Sequence, residues 1–126
     1  MAEPQLVADC VKAMVDSVAV PVSVKHRIGI DKTESYDVVR DFVGTVSEAD
    51  CHTFIVHARN AWLKGLSPKA NRQVPPLRYA LAYRLKSDFP QLTVVINGGI
   101  TTNEQVAEHL MHLDGAMLGR AAYHNP

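Results

Sequence analysis

The feature that most constrains this chain is a repeated exchange between two hydrophobic periods, in which each β-like run ends in charged or glycine-rich residues. From Pro4 onward Leu6, Val7, Cys10, Val11, Met14 and Val18 recur at three- and four-residue steps, the spacing of one helix face. The β-branched run Val20 to Val24 predicts a strand, with Lys25, His26 and Arg27 at its far end. Val38, Val39, Phe42, Val43 and Val46 return to the helical period, with Glu34 or Ser35 near the start. Thr53 to Val56 predicts a second strand ending in His57, Ala58 and Arg59. A long connection over 58–77, marked by Gly65, Pro68, Pro75 and Pro76, leads to a predicted helix from Leu77 to Phe89 that Pro90 stops. Leu92 to Ile96 predicts a third strand followed by Asn97-Gly98-Gly99, and Thr101 with Glu104 reads as a capping box for the next helix. A last strand, Gly115 to Leu118, ends in Gly119-Arg120.

Strands that alternate with helices pair in parallel through right-handed crossovers, so the fold class is α/β. Two architectures satisfy the pattern: a small doubly wound sheet, or part of a (β/α)8 TIM barrel. Both place function at the C-terminal ends of the strands. A full barrel takes about 250 residues, so four strand units within 126 residues correspond to half of one.

Composition narrows the class further. With 13 basic residues, 13 acidic residues and 47% hydrophobic content, the chain lacks the low hydrophobicity and high net charge of disorder. The apolar run Val18 to Val22 is broken by Pro21, far short of the roughly 20 residues a membrane helix needs. The start, MAEPQLVADC, has no basic end followed by an apolar stretch, so a cytoplasmic protein is expected. Cys10 and Cys51 form no CxxC pair and read as reduced, buried thiols. Net charge is zero, yet residues 51–87 hold Arg59, Lys64, Lys69, Arg72, Arg78, Arg84 and Lys86 without one carboxylate. Local cation density decides attraction for a polyanion, so this segment is a candidate nucleic-acid contact as well as a plain solvated face.

The strand ends carry the candidate chemistry. In (β/α)8 enzymes the loops after the last two strands often hold a phosphate, because glycine lets backbone N–H groups approach the anion. Asn97, Gly98 and Gly99 with Gly119 and Arg120 occupy those places, and Arg120 can add a charged fork. Lys25 would place an ammonium in a barrel mouth beside a developing anion, or else pair with Asp31 or Asp114. His57 stands at the equivalent point one strand later. Arg27 and Arg59 lie two residues beyond Lys25 and His57, so alternation would put four basic groups in one mouth.

The runs VSVKHRIGID, FIVHARNAWLKGLSPKANRQVPPL, INGGI and DGAMLGRAAYHNP resemble the tRNA-dihydrouridine synthases, specifically the bacterial A type. The resemblance extends from about Leu6 to Pro126, and HARNAWLKGLSPKANR is its most specific piece. It implies an FMN-dependent oxidoreductase that uses NADPH to reduce uridines 20 and 20a of the tRNA D-loop to dihydrouridine. By the same resemblance Lys25 and His57 contact the flavin, Asn97, Gly98, Gly99, Gly119 and Arg120 hold its phosphate, and Lys69 and Arg72 contact tRNA. Arg27, Arg59 and Lys64 are further tRNA-contact candidates.

His26 departs from the family pattern, which usually has Thr there. The match begins within the helix before the fifth strand of the barrel. The N-terminal half-barrel, the proton-donor cysteine and the C-terminal helical tRNA-binding domain are therefore expected to lie outside the chain, leaving it inactive alone. A half-barrel would expose two sheet edges and an inner face, so a homodimer or aggregation is expected. Two other readings are a non-catalytic half-barrel that binds phosphate or RNA, and another FMN barrel of the dihydroorotate or dihydropyrimidine oxidoreductase kind. The 58–77 loop disfavours the last.

Overall fold

The computed structural model describes residues 1–126. Helix α1 (Pro4–Ser17) begins with a proline whose missing N–H would have had no partner in the first turn. It leads to strand β1 (Ser23–Arg27), helix α2 (Tyr36–Ser47), strand β2 (Thr53–His57) and, after the long loop, helix α3 (Tyr79–Asp88). Strand β3 (Thr93–Asn97), helix α4 (Asn103–Leu110), strand β4 (Gly115–Met117) and a short helix α5 (Arg120–His124) complete the chain. Side chains fix two of the helix starts. Ser35 Oγ accepts the Asp37 amide at α2, and Thr102 with Gln105 forms a reciprocal capping box at α4. That box lies one residue later than the expected Thr101–Glu104 pair; Thr101 instead bonds the Gln105 side chain from outside the helix.

The four strands are parallel and ordered β1-β2-β3-β4. That sequential order, with helices covering one face only, is barrel winding; a doubly wound sheet would reverse its order and carry helices on both faces. Aligned register stacks side chains into rows across the sheet. Val24, Phe54 and Val94 form one row on the helix side, and His26, Val56, Ile96 and Ala116 the next. Phe54, Val56, Val94 and Ile96 are at most 1% exposed, packed against Val39, Phe42, Val43 and Val46 of α2 and Leu85 of α3. Burial of each such side chain contributes about 1.5–3 kcal/mol, so the helix face holds the fold together. The opposite rows, Ser23-Thr53-Thr93 and Lys25-Ile55-Val95-Gly115, form the barrel-interior side and stay partly open.

Three local expectations shift. β1 begins at Ser23, three residues after Val20, which is 67% exposed; Pro21 has no N–H for the ladder, and pairing starts at Ser23 with Thr53. α1 packs through Val7, Ala8, Val11 and Val15, leaving Leu6, Cys10 and Met14 in a solvent-facing row. Cys10 is thus exposed, whereas Cys51 is buried and donates weakly to the Val22 and Thr53 carbonyls. No helix is long and apolar enough to cross a membrane.

Candidate functional site

The register that builds the core also assembles a mouth. Arg27, His57, Asn97 and Met117 form the last row on the inner face, at the C-terminal ends of their strands. His57 lies at its centre. Burial, then the nearby Arg27, Lys25, Arg59 and Arg120 charges, lower its pKa to about 4, so the imidazole is neutral at physiological pH. Burial and the Arg27 charge likewise lower the pKa of the Lys25 ammonium. Neither expected carboxylate holds Lys25: Asp114 pairs with Lys86 at 2.9 Å, and Asp31 Oδ1 accepts the Leu63 amide.

On one side of His57 the glycine turn after β3 faces the start of α5 across a cavity of about 350 Å³, whose wall includes Gly98, Gly99, Thr101, Gly119 and Arg120. Gly98 has φ 110° and Gly99 has φ 69°, conformations that side chains resist. Contact also requires glycine. A Cβ on residue 98 would come within 2.7 Å of His57 Cδ2, and one on residue 99 within 2.5 Å of Leu77 Cδ1. The Gly98, Gly99 and Ile100 amides have no acceptor within the protein. Asn97 Nδ2 donates to the Met117 carbonyl at 2.8 Å and so fixes the spacing of β3 and β4 beneath the cavity. The site therefore presents free N–H donors and two arginines, Arg72 and Arg120, with no carboxylate in its wall, which is the chemistry of an anion cradle.

On the other side of His57 a wider cleft of about 600 Å³ lies between the strand ends and the 58–77 loop, with Lys25, Arg27, Trp62, Leu66 and Arg72 in its wall. The loop is well organised. Asn71 accepts the Trp62 amide through Oδ1 and donates to the Trp62 carbonyl through Nδ2, both at 2.8 Å. Asn60 Nδ2 bonds the Asp31 and Thr33 carbonyls, and the backbones of Gly29, Asp31 and Ala61 prolong the β1–β2 ladder.

These contacts sort the basic residues. Arg59, 8% exposed, donates to the Gln73 and Pro75 carbonyls and clamps the loop from beneath. Arg27 donates to the Asn60 and Asn71 carbonyls at 3.0 and 2.8 Å. Both charges stand near His57 as the spacing predicts, and each also donates through Nη1 to carbonyls of the loop, while Arg27 still lines the cleft. Arg84 lies over the Tyr36 ring, Arg78 bonds the Glu34 carbonyl, and Lys86 bonds Asp114. Lys64, Lys69 and Arg72 remain exposed on the loop. Arg120 Nη2 reaches the Arg72 carbonyl at 3.3 Å and links the anion cradle to that loop. Spacing did not reveal Tyr79, whose hydroxyl donates to the Gly98 carbonyl at 2.6 Å.

Comparison with known proteins gives this arrangement a context. A family model described as dihydrouridine synthase (Dus) matches residues 1–126. The tRNA-dihydrouridine(20/20a) synthase of Pseudomonas syringae pv. tomato is 64% identical over the whole chain. The proteins of that name from Pseudomonas aeruginosa and Synechocystis are 63% and 60% identical over the same extent. In each case the chain spans 38% of the relative's own length. Four parallel strands in barrel order, and a family match that leaves no part of the sequence outside it, place the chain in the dihydrouridine synthase family.

Proposed function

We propose that this chain is the C-terminal half of the catalytic barrel of an FMN-dependent tRNA-dihydrouridine(20/20a) synthase. The observation that carries this reading is the cradle of unpartnered glycine amides beside Arg120, set against His57 and Lys25 in a mouth without carboxylates. Its residues fit a flavin mononucleotide. The Gly98 and Gly99 amides, the turn at Gly119 and the Arg120 guanidinium would take the phosphate, while Asn97 keeps the two strands at the required spacing. Lys25 and neutral His57 would lie along the ring system, where a cation favours developing negative charge. When bound, FMN supplies the hydride chemistry, with NADPH as reductant.

Exposed Lys64, Lys69 and Arg72 would receive the tRNA backbone and bring the D-loop uridine to the wide cleft. Arg27 and Arg59 also hold the loop that carries those cations. Reduction of the pyrimidine also consumes a proton. Cys51 is buried beside Val22 at the far end of the sheet and Cys10 lies on the outer side of α1, so neither thiol reaches the mouth. On this reading the proton would come from a donor other than these two thiols. Mixing the purified chain with FMN and separating it by gel filtration tests the reading. The flavin absorbance band should travel with the protein; a colourless protein peak at micromolar concentration would contradict cofactor binding by this half.

A further inference from the structure

The hydrogen bond from Tyr79 to Gly98 has a consequence for the anion cradle. A trans peptide is planar and its C=O and N–H point in opposite directions. The Gly98–Gly99 peptide is trans, and Tyr79 Oη holds its carbonyl at 2.6 Å. The Gly99 N–H is therefore turned away from α3, and no atom of the protein accepts it. Two glycines flank this peptide, so side-chain sterics do little to oppose its rotation. Leu77 packs beneath the turn, with Cδ1 and Cδ2 where Cβ atoms at 99 and 98 would fall, but an apolar contact sets position without setting the direction of a carbonyl.

The Tyr79 ring is itself held. It lies edge-on to His109 with centroids 4.5 Å apart, and buried His109 exchanges a hydrogen bond with the Tyr83 hydroxyl at 2.7 Å. Burial raises the Tyr79 pKa, which keeps its hydroxyl protonated and able to donate.

We infer that Tyr79 is a positioning residue that orients the Gly98–Gly99 peptide so that the Gly99 amide faces a bound phosphate. This rests on the reading of that cradle as the phosphate site. The hydroxyl acts from behind the turn, through the peptide plane, and touches no ligand. Its removal should weaken ligands that carry the phosphate and leave those without it unchanged.

Riboflavin lacks only the phosphate of FMN, so the ratio of the two affinities isolates that contact. Fluorescence titration of the full chain and of Tyr79→Phe, which retains the ring on His109, tests the inference. Tyr79→Phe should lower FMN affinity roughly three- to tenfold, the net worth of about one hydrogen bond, with riboflavin affinity unchanged. A parallel loss for both flavins would mean a general structural role and overturn the inference. An unchanged FMN-to-riboflavin ratio in Tyr79→Phe would overturn it while the phosphate site stands. A wild-type chain that binds both flavins equally, or neither, would overturn the phosphate reading and this inference together.

Discussion

Acid should destabilise this protein through its buried neutral histidines, His57 in the mouth and His26 in the core, and the share carried by His26 can be isolated. His26 lies on the helix side of β1, between the Phe42 ring at 5.0 Å and the Phe54 ring at 5.8 Å. Its Nδ1 is 2.6 Å from the Arg27 carbonyl, and its buried Nε2 has no partner. Burial, with smaller contributions from the N-terminal amine and Lys25, lowers its pKa from 6.5 to about 4, although the Arg27 carbonyl acts the other way. The unfolded chain binds a proton below about pH 6.5, whereas the native chain refuses it until about pH 4. Between those values the unfolded state holds more protons, so stability falls as pH falls and levels off below the native pKa. The whole window corresponds to about 3 kcal/mol, of which about 2 kcal/mol is lost by pH 5. That is a large share of the roughly 5–15 kcal/mol that holds a domain folded. His26→Thr removes the group and leaves a cavity whose cost does not depend on pH. Urea denaturation of both proteins from pH 8 to pH 4 should therefore show wild-type stability falling relative to the variant by about 3 kcal/mol. Parallel curves, or an NMR titration of His26 near 6.5 in the native state, would refute the reasoning.

Other outcomes follow from the same contacts. Gly98→Ala forces a side chain onto a φ of 110° and a Cβ to within 2.7 Å of His57. It should cost about 1–3 kcal/mol in thermal or urea unfolding and abolish FMN binding. Binding of tRNA should weaken steeply with salt. The slope of log affinity against log salt should fall by roughly one for each of Lys69→Ala and Arg72→Ala, while Arg84→Ala, whose charge lies on Tyr36, should leave it unchanged. The open inner rows and the unpaired outer edges of β1 and β4 should drive the isolated chain to pair with a second copy. Light scattering should read a dimer at micromolar concentration; a monodisperse monomer would contradict this.

The strand ends were legible because the periods of two and 3.6 residues alternate along the chain, and because lysine, histidine and glycine stand where β-branched runs stop. Lys25, His57, Gly98 and Gly119 come to one mouth for that reason. Less legible was the start of β1. Valine content favoured Val20–Val24, whereas pairing with Thr53–His57 selected Ser-Val-Lys-His-Arg, a strand whose polar residues alternate between an open inner face and the helix side. Cys10 fitted the stripe of α1 on spacing alone, but the packed face of a helix is fixed by its neighbours, and here it runs through Val7 and Val11. Spacing also put Arg27 and Arg59 beside their partners without revealing that both guanidinium groups donate to carbonyls of the folded loop. Tyr79 gave no local signal. Its role arises only when the long loop returns α3 to the glycine turn after β3.

On the proposed reading the glycine amides after β3, with Gly119 and Arg120, form the phosphate site. Titrating inorganic phosphate into the 15N-labelled chain reads those amides directly. Gly98, Gly99, Gly119 and Arg120 should shift together along one binding curve, and FMN should displace the phosphate from them. Shifts confined to Lys64 and Lys69, or no saturable shift at the glycine turn, would contradict that reading.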